Sequence, residues 1–128
     1  MLSTAKITAT VATDDIPAAK AFYSGKLGLP LMMDMPDIFG SLLPDGSALT
    51  VYYRPAHRPP ENTTITFLVA DVEATVRELR AAGVTFEEYD QPGIKTVEGI
   101  ATGDDGFKGA WFKDPAGNIL ALGSIPPM

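Results

Sequence analysis

The chain opens on a short alternating run, Thr4 to Ala12, rich in β-branched residues, the pattern of a half-buried strand. Asp14-Asp15-Ile16-Pro17 then reads as a helix start, with aspartate as the cap and proline in the first turn, where its missing N–H has no helical partner. Ala18, Ala19, Ala21, Phe22 and Tyr23 continue the helix, and Gly25 and Gly28 end it. Three short strands are predicted next, Pro30–Met35, Ile38–Leu43 and Ala48–Arg54, separated by Pro36-Asp37 and Pro44-Asp45-Gly46.

Residues 55–60 hold three prolines and interrupt the pattern as a linker. The order of elements then begins again. Thr63–Ala70 alternates as a strand, and Asp71 caps a helix with Val72, Val76 and Leu79 on one face and Glu73 four residues before Arg77. Gly83 stops that helix, and Val84–Tyr89 reads as a strand. Residues 91–109 are rich in glycine, and 95–107 has the length and composition of a mobile lid. Ala110–Lys113 and Asn118–Gly123 form a hairpin about Asp114-Pro115-Ala116-Gly117. The reading is βαβββ twice: an α+β chain forming one domain over 1–128, with module one at 1–55, a linker at 55–60 and module two at 61–124.

Composition narrows what such a chain does. Hydrophobic residues make up 45% and charged residues 20%, a globular balance. With no cysteine, thiolate chemistry and disulfides are excluded, which fits a cytoplasmic location. Met1 to Asp15 has one lysine and no apolar block, so it reads as neither signal peptide nor membrane span. The net charge of −6 argues against nucleic acid and suits solubility or a cationic ligand.

Three groups of residues carry a family resemblance. They are Asp15-Ile16-Pro17-Ala18-Ala19-Lys20-Ala21-Phe22-Tyr23 with Leu27-Gly28-Leu29; Asp71-Val72 with Leu79 and Gly83; and Trp111-Phe112-Lys113-Asp114-Pro115-Ala116-Gly117-Asn118. In order and spacing they resemble the vicinal-oxygen-chelate (glyoxalase/bleomycin-resistance) superfamily across nearly the whole chain. The resemblance implies two βαβββ modules forming a curved mixed sheet around a concave groove, and commonly a homodimer. It also implies a divalent metal held by four His, Gln or Glu side chains, one from each first and last strand of the two modules.

Those four positions fall on Thr8, Thr50, Thr64 and Ala121. None supplies the imidazole nitrogen or carboxylate oxygen that such ions take. A shift of register does not help, because segments 7–12, 48–53, 62–70 and 118–124 contain no His, Asp, Glu or Gln. The expectation is therefore no metal, no cofactor and no catalytic residue. The chain is similar to the metal-free branch, the bleomycin-resistance proteins that sequester a ligand, so antibiotic or metabolite sequestration is the expected role. The alternative is a glyoxalase-like lyase or isomerase using a carboxylate or a non-standard metal site.

The expected ligand-binding residues are Thr8, Thr50, Tyr52, Thr64, Thr66, Trp111 and Met33. Strand alternation together with the resemblance puts the threonines and Tyr52 on the groove face, although threonine is also simply a good strand residue. Trp111, the sole tryptophan, is either a pocket aromatic or a core residue. His57, the sole histidine, stands between Arg54 and Arg58 in the linker and reads as solvent-exposed. Glu87 and Glu88 face opposite sides of a strand, so the pair reads either as a solvated edge or as one carboxylate entering the groove as a general base.

Overall fold

The structure, a computed structural model, describes residues 1–125. The chain divides into two compact units, Met1–Arg58 and a second that begins at Pro59. Each unit has its own sheet and its own helix.

In the first unit, β1 (Thr8–Thr13) leads to α1 (Ile16–Lys20), followed by β2 (Leu31–Met35), β3 (Ile38–Leu42) and β4 (Ala48–Tyr53). The sheet order is β1-β4-β3-β2, parallel between β1 and β4 and antiparallel elsewhere. Asp15 caps α1 through its carboxylate, which accepts from the Ala18 amide at 3.1 Å. The helix then widens into a π-helical stretch, Ala21–Lys26, where Leu27 N–H donates to the Phe22 carbonyl five residues back. Phe22 and Tyr23 are both buried, with their rings edge to face at 5.3 Å. Neighbours on a regular α-helix diverge by about 100°, so the wider turn helps two successive aromatics face one sheet. Gly25 lies inside this stretch rather than ending it; the left-handed residue that follows is Gly28, at φ 74°. Under the helices, Val11, Phe39, Leu49 and Val51 complete the core.

The turn before β4 is set by Asp45. Its carboxylate accepts from the Ser47 hydroxyl at 2.6 Å and the Ser47 amide at 2.9 Å, which holds its pKa below the usual carboxylate value.

In the second unit, β5 (Thr63–Val69) leads to α2 (Val72–Ala81), capped by Asp71 through the Ala74 amide at 3.0 Å. Five strands follow: β6 (Asp90–Gln91), β7 (Ile94–Val97), β8 (Ile100–Thr102), β9 (Lys108–Lys113) and β10 (Ile119–Ser124). Their order is β5-β10-β9-β8-β7-β6, with β5 and β10 parallel. Val72 and Val76 of α2 pack toward β9 and β10, over Ala110, Phe112, Leu120 and Leu122.

This unit departs from a plain βαβββ repeat in three ways. Residues 84–89 are not a strand: only Phe86 bridges to Phe112, with Glu87 N–H donating to the Trp111 carbonyl at 2.8 Å. The segment expected to be a lid instead forms β7 and β8, joined by a two-residue turn at Glu98-Gly99. Both turn residues have positive φ, 51° and 82°, the signature of the hairpin turn that matches strand twist. Glu73 does not pair with Arg77; its carboxylate meets the Lys108 ammonium at the start of β9.

The β9–β10 turn is closed by a buried carboxylate. Asp114 accepts from the amides of Ala116 and Asn118, each at 2.9 Å, and from the Asn118 side-chain amide at 2.8 Å. Both residues are almost fully buried. Replacing Asp114 by alanine leaves three donors without this acceptor inside the fold. Urea unfolding should show a loss of about 2–3 kcal/mol for Asp114→Ala; a loss below about 1 kcal/mol would mean the turn closes without the carboxylate.

Candidate functional site

In both sheets the helix covers one face, and alternate residues point to the other. The second sheet is the more informative. On β9, Phe112 and Ala110 face α2, so Trp111 and Gly109 face away from it. The antiparallel register sets Trp111 against Ala121 and Gly109 against Gly123. The parallel register sets Ala121 against Thr66 and Gly123 against Leu68. Thr66, Trp111 and Ala121 are thus neighbours across three strands.

The paired glycines matter because of what stands above them. A Cβ on Gly109 would lie 3.3 Å from Cη2 of Trp111, and one on Gly123 would lie 3.3 Å from both Leu68 Cδ2 and Phe107 Cζ. The absent side chains let the indole lie down over β9 and let Phe107 and Leu68 close over β10. Trp111 is half-buried, and Tyr89 meets it edge to face at 5.6 Å and 80°. Beside it is an open hollow of about 390 Å³, floored by Gly109 and Ala101 and walled by Trp111, Phe107, Ile94 and Gln91. The volume is in the range small organic ligands occupy.

Thr64 sits on β5 where a bulge interrupts the pairing with β10 between Ile119 and Leu120. Its hydroxyl donates to the Ile119 carbonyl at 3.0 Å, so it is turned to the backbone. In the first sheet, Thr50 pairs with Thr10 and Tyr52 with Ala12, on the face away from α1. The hydroxyls of Thr8 and Thr50 are 2.9 Å apart and bonded to each other. Met33 lies on the same face, with its methyl over Gly40. The expected site residues therefore fall into two sets, Thr8, Thr50, Tyr52 and Met33 on one sheet and Thr64, Thr66 and Trp111 on the other.

The other candidates are accounted for locally. Glu88 accepts from the Gly99 amide at 2.5 Å, and Glu87 pairs with Lys113 at 3.4 Å, so both carboxylates considered as bases are engaged in ordering the sheet. His57 is half-buried rather than solvent-exposed, and its amide donates to the Arg54 carbonyl. Sequence reasoning missed Tyr89, Ile94, Ala101, Phe107, Gly109 and Gly123. The signal for the glycines was present: Gly109 precedes Trp111 by two, and Gly123 follows Ala121 by two, so on strands all four share a face.

The positions where the resemblance sets metal ligands are two threonines bonded to each other, a threonine bonded to a carbonyl, and Ala121. This donor set does not fit a borderline divalent ion, which takes imidazole, carboxylate or thiolate. Among the described residues no three His, Cys, Asp or Glu side chains gather to form another such set.

Two units, each a mixed sheet with a helix on one face and an open second face, define an α+β protein of the glyoxalase/bleomycin-resistance fold. The chain belongs to the Glyoxalase/Bleomycin resistance protein/Dioxygenase superfamily, whose sequence model matches residues 6–122. No curated protein matches it significantly. Among solved structures, it is similar to a glyoxalase/bleomycin resistance protein from Catenulispora acidiphila at 24% identity, covering 94% of this chain and 98% of the other with a TM-score of 0.73. It is similar to a bleomycin-binding protein solved with bleomycin at 19% identity, covering 96% and 100% with a TM-score of 0.73. A lactoylglutathione lyase from Agrobacterium tumefaciens shares 18% identity over 94% and 93%, with a TM-score of 0.71. At these identities the likeness speaks to the fold.

The glycine floor yields a direct test. In Gly109→Val the new side chain displaces the indole, at a stability cost of about 1–3 kcal/mol from overpacking. As Trp111 is the sole tryptophan, its emission reports the change alone and should shift to the red. An unchanged spectrum would mean that Gly109 does not set the indole's position.

Proposed function

We propose that the protein is a metal-independent small-molecule binding protein of its superfamily, acting in the cytoplasm by sequestering an antibiotic or metabolite, and that Trp111 provides the main apolar contact. One observation carries this reading: the four positions of the family's metal site hold Thr8, Thr50, Thr64 and Ala121, whose hydroxyls bond to each other and to backbone. The half-open indole, met edge to face by Tyr89, and the hollow beside it support the binding role. Thr66, adjacent through Ala121, offers a hydroxyl for orientation. The face of the first sheet with Thr50, Tyr52 and Met33 offers a second polar and thioether surface. The bleomycin bound by one structural relative makes bleomycin the first ligand to try. No described helix is long and apolar enough to cross a membrane.

The test is titration with bleomycin, followed by Trp111 emission, with and without a chelator. Saturable quenching that is the same in both is expected. Trp111→Ala should weaken binding, followed by calorimetry, by about tenfold, in keeping with the roughly 1.4 kcal/mol that an aromatic contact supplies. It should leave most of the stability intact, because the indole is half-buried. Binding that requires added divalent metal would defeat the proposal, as would an absence of binding. A fall of about 3–5 kcal/mol in stability would instead make Trp111 a core residue.

We also infer a homodimer. Strands β2 and β5 end their sheets, and Met32 and Leu68 on them are 70% and 58% exposed, apolar surface that pairing with a second copy would cover. Twofold pairing is the commonest arrangement among soluble oligomers. Light scattering should give twice the 13.6 kDa chain mass; a monomer at about 50 µM would refute the dimer.

A further inference from the structure

The second unit has another hollow, on the helix side of its sheet, that the proposed binding face does not use. It measures about 540 Å³ and lies between α2 and the β7–β8 hairpin. The periodicities of the two elements build it. Glu73, Val76, Arg77 and Arg80 fall at helical spacing on one face of α2. Lys95 and Val97 alternate on β7, Val97 pairs with Ile100, and Thr102 pairs with Lys108, so these strand residues share the face toward the helix. The helix rests on β9 and β10, while β8 and β7 extend the sheet past it and leave a ledge.

The charge of this ledge is opposite to that of the chain. The protein has a net charge of −6 and ten Lys and Arg residues, yet Arg77, Arg80, Lys95 and Lys108 all line this hollow, against the carboxylates of Glu73 and Glu98. Two of the cations are committed. Lys108 pairs with Glu73, and Arg80 donates to the Glu98 carbonyl at 2.8 Å while lying over the Phe86 ring. Arg77 and Lys95 pair with no carboxylate among the described residues. The floor between them is apolar: Val76 is buried, Ile100 is half-buried, and Val97 is 69% exposed.

We propose that this hollow is a second ligand site, separate from the Trp111 face, and that it takes a small organic anion with an oxyanion head and an apolar body. Arg77 and Lys95 supply charge-assisted donors to the head. Val97 and Ile100 take the body. Arg80 is a positioning residue, because it ties the hairpin turn to the helix and so sets the width of the hollow. A concave ledge on an otherwise acidic chain excludes nucleic acid, whose backbone the rest of the surface repels, and concentrates small anions locally.

The experiment uses anilinonaphthalene sulfonate, an anion with an apolar body, and phenylnaphthylamine, nearly the same body without the charge. Both are titrated by fluorescence against the intact chain and four variants, with folding checked by circular dichroism. Arg77→Met and Lys95→Met should each weaken the sulfonate probe by about fivefold, in the range of a single hydrogen bond at a solvent-open site, and shift the uncharged probe by less than about twofold. Lys26→Met and Lys113→Met, which remove the same charge elsewhere, should leave both probes unchanged. Because Lys95 borders both hollows, Arg77 carries the discrimination, and Trp111→Ala should leave the sulfonate affinity intact. The proposal is overturned if the sulfonate probe fails to saturate, or if the control lysines matter as much as Arg77. It is equally overturned if the uncharged probe loses as much as the charged one, or if Trp111→Ala abolishes binding.

Discussion

The carboxylate of Asp114 fixes which residues of β9 and β10 stand opposite each other. It gathers two backbone amides and the Asn118 side chain inside one turn, so Asp114 and Asn118 become the ends of the hairpin and the register is counted from them. From that count Phe112 meets Leu120 and Ala110 meets Leu122 under the helix. By the same count Trp111 meets Ala121 and Gly109 meets Gly123 on the other face. A slip of one residue would exchange the two sets, burying the indole under α2 and exposing Phe112 and Leu120. The aromatic face and the core are therefore two consequences of one turn.

The chain's local chemistry was legible. Asp15 and Asp71 cap helices through the amides three residues on, an interaction that needs nothing beyond four consecutive residues. The strands β1, β2, β3, β4, β5 and β10 were found within a few residues of their ends. What was not legible depended on distant partners. Val84 and Phe86 alternate and are buried as a strand's residues would be, yet residues 84–89 lack a ladder partner beyond the single bridge to Phe112. Helical spacing made Arg77 the partner of Glu73, but Lys108 approaches from β9, which no rule of helix spacing includes.

The glycine-rich stretch shows how composition misleads when spacing is ignored. Gly93, Gly99 and Gly106 have φ of 87°, 82° and 85°, and each sits in a turn between short strands. They recur at intervals a strand and a turn would fill. Read as a total, the glycines describe a loose lid; read as positions, they punctuate a meander. The strands they separate carry the sheet past the end of α2, so a misreading of this segment conceals both the ledge and the hollow beside Trp111.

The same sheet thus presents two surfaces of different chemistry, and the difference follows from what each face needs. On the face away from the helix, Gly109 and Gly123 leave room for Trp111 to lie over β9 and for Phe107 and Leu68 to close over β10, so this face is aromatic and apolar. On the helix side, α2 fills the space over β9 and β10 and leaves only its outer row, Arg77 and Arg80, to face the uncovered strands β7 and β8. Long cations suit such an edge because their methylene stems tolerate apolar neighbours while their charged ends reach water. A ten-residue helix packed on β9 and β10 leaves β7 and β8 uncovered on that side, and the rim of that uncovered stretch is basic.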